Sequence, residues 1–318
     1  MSDVLKPDPK LTSPDEIYKA GSAYYFGGVV GQDLVKAHEL LLQAADQGHG
    51  QAQFLLSQAH LNGVGVERDL SVSFKWLQMA ADGNLRDAQF FLAESYRTGQ
   101  PYGKKSVSKS IEWYDKAGAQ GHPDALFQLT SIYTNGEVAR KDDTKAMKYC
   151  LMAADNGHPL AQHNMGIAYT HGHGVEKDLS QAAKYFCMSA ERGVPDAQFA
   201  AGLSYANALG VEQDFVQAVK YWNMGAAQGY PPCQFTIGTA YFNGLGVAKD
   251  LAKGVEYWRL AADQGHAQSQ FNVGEAYLNG NGVAKSLPEA SRYFKMAAKQ
   301  GFAPAARRLE EMKGAYKH

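Results

Sequence analysis

In residues 50–84 the apolar side chains are spaced as they are on two helices. Ala52, Leu56 and Ala59 stand at i, i+4 and i+7, which places them on one face of a helix, whereas a strand would alternate. A second apolar block occupies residues 76–81, after a glycine-rich loop. The pattern predicts a hairpin of two helices, named helix A and helix B below.

The same pattern recurs along almost the whole chain of 318 residues. A glycine, or once an asparagine, follows each alanine-rich end of helix B at steps of 36 residues, with one step of 37. These positions are Gly48, Asn84, Gly121, Gly157, Gly193, Gly229, Gly265 and Gly301. A fixed period of this length is typical of a solenoid, in which each repeat packs on its neighbours. We therefore predict an all-α solenoid of about eight helix-turn-helix repeats.

The helix ends carry regular start and stop signals. Eight good N-cap residues precede the helices B: Asp33, Asp69, Ser106, Asp142, Asp178, Asp214, Asp250 and Ser286. We expect each of these side chains to accept a first-turn amide, and Ser13–Glu16 and Ser286–Glu289 to form capping boxes. The glycines after helix B suit a left-handed C-terminal residue.

Small and aromatic residues also recur at fixed positions. Glycines in the middle of helix A predict close approach of a neighbouring helix: Gly21, Gly166, Gly202, Gly238 and Gly274. The aromatic positions that repeat on both helices are interpreted as core, and the histidines that recur after helix B as repeat filler. We divide the chain into a flexible tail (residues 1–13), the solenoid (14–301), and a C-terminal capping helix and tail (302–318).

The composition excludes several classes of partner. The 31 basic and 32 acidic residues nearly balance, which argues against duplex DNA or RNA as a partner, because such binding depends on neutralising phosphates. No apolar run approaches the roughly 20 residues of a membrane helix. The first 16 residues lack the apolar core of a secretory signal. We expect a cytoplasmic monomer without cofactor or metal; an exported protein whose signal has been removed stays open.

The recurring residues combine into one motif. It is most complete at Gly238, Tyr241, Gly244, Gly246, Val247, Asp250, Tyr257, Trp258, Ala261, Ala262 and Gly265. From Pro14 to Gly301 the sequence resembles the Sel1-like repeat family, relatives of the tetratricopeptide repeat. The resemblance implies an α/α superhelix whose helices A line a concave groove, and a non-catalytic role as an adaptor or scaffold, often in bacteria. Some secreted relatives carry a cysteine pair in every repeat, which this chain lacks.

Two surfaces are candidates for partner binding. Positions 51, 55, 58 and 62 lie beside the buried stripe of helix A, and their equivalents vary between repeats, so we expect them to face the groove. The groove candidates are Phe26, Leu55, Gln58, Phe91, Glu94, Gln128, Ser131, Asn164, Ile167 and Leu203. The second candidate is a basic edge formed by the loops of repeats three and four, which suits an acidic partner: Lys104, Lys105, Arg140 and Lys141.

Catalytic patterns are weak. Ser106 and Lys109 match the S-x-x-K of penicillin-binding enzymes, but Ser106 also holds an N-cap position. His163, His171 and His173 are close enough in sequence to consider a shared metal ion. The main hypothesis is therefore a protein-interaction scaffold. The alternatives are an immunity or inhibitor protein that wraps a secreted bacterial toxin, lipase or nuclease, and a hydrolase that acts through Ser106.

Overall fold

The computed structural model describes residues 12–136 and 140–315, which form α-helices and connecting loops without a strand. Residues 1–11 of the predicted tail and residues 316–318 lie outside the described part. The helices are α1 (Pro14–Phe26), α2 (Leu34–Asp46), α3 (Gly50–Asn62), α4 (Leu70–Asp82), α5 (Arg86–Thr98), α6 (Val107–Ala119), α7 (Pro123–Asn135), α8 (Asp143–Asp155), α9 (Pro159–His171), α10 (Leu179–Glu191), α11 (Pro195–Ala206), α12 (Phe215–Ala227), α13 (Pro231–Asn243), α14 (Leu251–Asp263), α15 (Ala267–Asn279), α16 (Leu287–Lys299) and α17 (Ala303–Ala315).

These helices belong to two compact units, residues 1–156 with α1–α8 and residues 157–318 with α9–α17. Within each unit every odd helix packs on the even helix that follows it, and that helix packs on the next odd one. The odd helices α1–α15 are helices A and the even ones are helices B, so the described residues form eight hairpins and a closing helix, α17. The predicted all-α solenoid is confirmed.

Inside a hairpin, the glycine in the middle of helix A lies against a large side chain of helix B. A Cβ atom added to Gly202 would lie 2.1 Å from the indole nitrogen of Trp222, and one on Gly166 would lie 2.5 Å from the ring of Phe186. No larger residue fits there, because protein interiors have almost no spare volume. The predicted close approach is confirmed at these positions.

Stacked tyrosines join helix A to helix B in five hairpins. Their ring centroids are 5.7–5.9 Å apart and their planes differ by 3–14°. The pairs are Tyr133–Tyr149, Tyr169–Tyr185, Tyr205–Tyr221, Tyr241–Tyr257 and Tyr277–Tyr293. The interpretation of the helix B aromatic position as packing holds for these pairs.

The predicted caps form at seven of the eight helices B, where the side chain of the N-cap residue accepts a first-turn amide. Ser106 is the exception: its hydroxyl makes no cap hydrogen bond and lies 3.5 Å from that of Ser108. The capping box at Ser13 is also wrong, since its side chain makes no cap bond. At Ser286 only the serine half forms, because its amide donates to the carbonyl of Tyr277. The left-handed residues after helix B are confirmed, with φ of 65–92°.

The recurring histidines are more than filler. His49, His122, His158 and His266 are the N-cap residues of helices A, and Nδ1 of each accepts a backbone amide three residues later at 3.1–3.3 Å. A ring nitrogen accepts only while it is unprotonated. Burial lowers the pKa of His122 and of His266, which favours the same neutral form.

This arrangement predicts acid sensitivity. With lowered pKa values in the folded chain, His122 and His266 bind fewer protons than in the unfolded chain, so stability falls as the pH drops through about 6.5 and below. Asparagine is a good N-cap and does not titrate, so we expect the variant His122→Asn with His266→Asn to lose less stability than the wild type between pH 7.5 and 5.5. Urea unfolding followed by circular dichroism measures the difference. Equal losses in both proteins would contradict the prediction.

A ladder of buried glutamines connects successive hairpins. Gln53, Gln89, Gln198 and Gln270 on helices A donate to a carbonyl near the end of the preceding helix B, at 3.0–3.2 Å. Three of these glutamines, Gln89, Gln198 and Gln270, accept a 2.8 Å hydrogen bond from the glutamine that ends the next helix B. Each of these carbonyls also accepts a backbone amide of the turn that ends helix B, so the glutamine adds a second hydrogen bond and ties helix A to the preceding hairpin.

Candidate functional site

The ten groove candidates lie on helices A, and each is at least partly exposed. Phe26, Phe91 and Ile167 are 70%, 43% and 39% exposed, which is unusual for large apolar side chains. The candidates divide between the units, with those up to Ser131 in the first unit and Asn164, Ile167 and Leu203 in the second.

Successive helices A bring two of the predicted positions face to face. Arg308 on α17 follows Asn272 by 36 residues and so continues the register of Leu55, and Glu275 on α15 belongs to the register of Gln58. Arg308 donates to the carboxylate of Glu275 at 2.6 and 3.2 Å. The position of Leu55 in one repeat therefore lies beside that of Gln58 in the repeat before, and a partner would contact both together.

In the first unit, the carboxylate of Glu94 already has partners. Arg97 donates to it at 2.6 Å, and the buried hydroxyl of Tyr114 also donates to it. Burial, reinforced by this hydrogen bond, raises the pKa of Tyr114, and the bond to Glu94 raises the pKa of Arg97. Glu94 is thus fixed in place, next to the exposed ring of Phe91, which contacts Phe54 edge-on with a centroid distance of 5.4 Å.

In the second unit, Ile167 and Leu203 line one pocket of about 180 Å³. Phe186 of α10 and Leu209, from the loop after α11, also line it. Another lining residue on helix A is Ala200, in the register that holds Leu55, Phe91 and Gln128 in other repeats. Because the alanine side chain is small, it leaves a space that a larger residue would fill. Sequence reasoning placed Ile167 and Leu203 in the groove but missed Ala200, although a lone small residue in a register of larger ones was a usable signal.

The basic edge is exposed in the first unit. Lys104 and Lys105 precede α6, and Arg140 and Lys141 precede α8; all four are exposed. Lys141 forms a 3.3 Å ion pair with Asp143. The middle of the second loop, residues 137–139, lies outside the described residues.

The other predicted chemistry is not assembled by the fold. The ammonium of Lys109 lies over the ring of Tyr96, 5.2 Å from its centroid, and no hydrogen bond joins Lys109 to Ser106 in the described residues. His171 and His173 stack on each other, whereas the ring of His163 lies against Phe186. Within residues 12–136 and 140–315 no group of three His, Cys, Asp or Glu side chains is arranged to hold a metal ion. No helix in the same part is long and apolar enough to span a bilayer.

Comparison with protein families gives one match, to the Sel1 repeat. The model of that repeat matches eight consecutive segments: residues 17–49, 50–85, 86–122, 123–158, 159–194, 195–230, 231–266 and 267–302. These segments correspond to the eight hairpins. A search of curated proteins gives no significant match.

Solved structures to which this chain is similar come from several bacteria. The c5321 protein, described as a protective antigen of uropathogenic Escherichia coli with an SLR fold, is 28% identical with a TM-score of 0.82 over 94% of this chain. This chain spans 64% of the length of c5321. A Sel1 repeat protein from Oxalobacter formigenes is 29% identical, with a TM-score of 0.60 over 94% of this chain and 86% of its own. The immunity protein Pa5087 from Pseudomonas aeruginosa is 21% identical over 72% of this chain and 86% of its own, with a TM-score of 0.39.

Proposed function

Because the chain belongs to the Sel1 repeat family, we propose that it is a non-catalytic scaffold that binds a polypeptide partner through the exposed face of its helices A. The Sel1 repeat is suited to protein–protein interaction, since each hairpin adds surface without forming a closed catalytic cleft. The partner of this chain is an extended segment that carries at least one large apolar side chain.

The pocket between α9 and α11 is the observation that supports this proposal. Its wall residues Ile167 and Leu209 are 39% and 42% exposed, although both side chains are fully apolar. Exposed apolar groups of this kind mark interaction sites on soluble proteins. Burying one leucine or phenylalanine of a partner contributes about 1.5–3 kcal/mol, enough to anchor a peptide.

The two hydroxyl groups at the pocket favour an apolar anchor over a polar one, and the third polar residue that lines it, His171, stacks on His173. The hydroxyl of Thr170 donates to the carbonyl of Gly166 at 2.8 Å, and that of Ser204 donates to the carbonyl of Ala200 at 3.0 Å. Both hydroxyls are therefore already engaged within their own helices. Specificity at this site depends on the size and shape of the apolar side chain that enters it.

A filled pocket tests the proposal. We expect peptides selected from a random displayed library on the wild-type protein to share a large apolar residue. Ala200→Phe occupies the pocket and is expected to weaken their binding about tenfold or more, the equivalent of losing one buried side chain. Fluorescence anisotropy with a labelled selected peptide measures the affinity.

The matched control places the same side chain in the same register two hairpins beyond α11. Asn272→Phe, on α15, introduces an equal apolar surface away from the residues that line the pocket, and its affinity is expected to stay within about twofold of the wild type. Equal binding by the Ala200→Phe variant, or selected peptides without an apolar anchor, would refute the proposed site.

A further inference from the structure

The loops before α6 and α8 carry a cation at a position where no other repeat has one. Two residues before the N-cap of helix B, three repeats have a glutamate and three have a small uncharged residue: Glu67, Glu176 and Glu212, and Gly31, Ala248 and Ala284. In the third and fourth repeats the same position holds Lys104 and Arg140. A basic residue follows in both, so each of these two loops carries two adjacent cations.

The third repeat also lacks the acidic cap. Ser106 stands where most repeats have aspartate, so residues 99–110 contain no carboxylate. Lys104, Lys105 and Lys109 are exposed, and no ion pair within 4.0 Å joins any of them to a carboxylate in the described residues. Three positive charges are left uncompensated in a chain whose net charge is only −1.

Aromatic rings hold several of these cations in place. The ammonium of Lys104 lies 3.7 Å from the centroid of Phe74, and those of Lys109 and Lys145 lie 5.2 and 5.1 Å from tyrosine centroids. A ring face attracts a cation without cancelling its charge. Binding a partner normally costs conformational entropy, because long side chains become ordered. Contact with the rings orders these lysines in advance, so less of that entropy is lost on binding.

An apolar pocket adjoins the same lysine. Leu70, Phe74 and Tyr102 line a space of about 250 Å³, with Lys104 also among the lining residues. The hydroxyl of Tyr102 is hydrogen-bonded to that of Ser73 at 2.8 Å, which fixes the loop on α4. The surface thus offers an apolar cavity and positive charge side by side.

We propose that this surface, formed by Lys104, Lys105, Lys109 and the pocket of Phe74 and Tyr102, binds an acidic polypeptide segment that carries one large apolar residue. The apolar residue enters the pocket, and neighbouring aspartates or glutamates pair with the lysines. In the next repeat, Arg140 and Lys145 line a second pocket, which also contains Asp142. The residues of this surface are different from those that line the pocket between α9 and α11.

Charge reversal tests the proposal directly. The probe is a short fluorescent peptide of aspartate and glutamate with one central leucine, and the readout is anisotropy at low and high salt. We expect Lys104→Glu with Lys105→Glu to weaken binding about tenfold or more and to flatten its salt dependence. Both side chains are exposed, so the circular dichroism spectrum is expected to stay unchanged.

The control reverses the charge of two other lysines, both in the register of Lys105. Lys249 and Lys285 directly precede the N-caps of α14 and α16, as Lys105 precedes that of α6. All three pack alike on the glycine that ends helix A, since a Cβ atom added to that glycine would lie 3.1–3.5 Å from the lysine Cβ atom. Lys249→Glu with Lys285→Glu is expected to leave the affinity within about twofold. Equal loss in both variants, no binding by the wild type, or equal binding of a single-stranded DNA of matched charge would overturn the proposal. Ala200→Phe leaves this surface intact, so we expect the affinity for the acidic probe to stay unchanged in that variant, which distinguishes the two sites.

Discussion

Replacing Gly210 with alanine is expected to lower the free energy of unfolding by about 3 kcal/mol or more. Gly210 follows α11 with φ of 76°, a conformation that costs a residue with a Cβ atom about 1–2 kcal/mol. In addition, its Cβ atom would lie 2.0 Å from the carbonyl oxygen of Leu179. A backbone carbonyl at a helix start cannot turn aside as a side chain does, so the loop or α10 must shift, and crowding of this kind typically costs a further 1–3 kcal/mol.

The matched control is Gly193→Ala. Gly193 has φ of 92°, but a Cβ atom there has nothing within 4 Å. This variant carries the conformational cost alone, about 1 kcal/mol. The midpoint and slope of urea unfolding give the free energies. If both variants lost the same free energy of unfolding, the close contact between Gly210 and the start of α10 would contribute nothing to the loss, and the prediction would be contradicted.

Replacing Gln198 with leucine is expected to cost about 3 kcal/mol, although the two side chains are similar in size. Gln198 is almost fully buried, donates to the carbonyl of Ala190 at 3.1 Å and accepts from Gln228 at 2.8 Å. Two lost hydrogen bonds contribute about 1 kcal/mol each. Crowding of the leucine against Ala190 adds about 1 kcal/mol or more.

The fourth repeat shows how the chain accommodates leucine at this position. There Leu126 replaces glutamine, and the preceding helix B has Gly118 where the other repeats have alanine. A Cβ atom on Gly118 would lie 2.8 Å from Leu126. We therefore expect Ala190→Gly, which alone costs about 1 kcal/mol in a helix, to add nothing to the loss in the Gln198→Leu variant. Purely additive losses in the double variant would contradict this coupling.

Much of the hairpin could be predicted because its signals are local. Helical spacing, an N-cap such as Asp178 and a left-handed glycine such as Gly193 each act within a few residues, and a period of 36 residues repeats them. The prediction failed for the cap at Ser106 because a serine can be placed correctly and still turn its hydroxyl elsewhere. The histidine caps were missed because a histidine caps a helix only when its Nδ1 atom is turned toward the first-turn amide and carries no proton. The glutamine ladder was missed because the partners of each glutamine lie on neighbouring helices.

For the candidate sites, too, the sequence predicted single positions, whereas the contacts between them depend on helix packing. The sequence identified Ile167 and Leu203 as positions that vary and face outward, and it identified Lys104 and Lys105 as unusual cations. That Ile167 and Leu203 share a pocket, and that Ala200 opens it, depends on how α9, α10 and α11 pack. Glu94, predicted as a groove residue, proved to be paired with Arg97 and Tyr114, which leaves its proposed contact with a partner to be tested.

The sequence alone determined that this chain forms helix hairpins of the Sel1 repeat type, because caps, turns and apolar spacing act over distances shorter than one repeat. Only the tertiary structure decided which exposed side chains meet. A pocket, a ring beneath a lysine or a hydrogen bond between repeats needs residues about 20–40 positions apart to lie within a few ångströms, and that distance is set by how the helices pack.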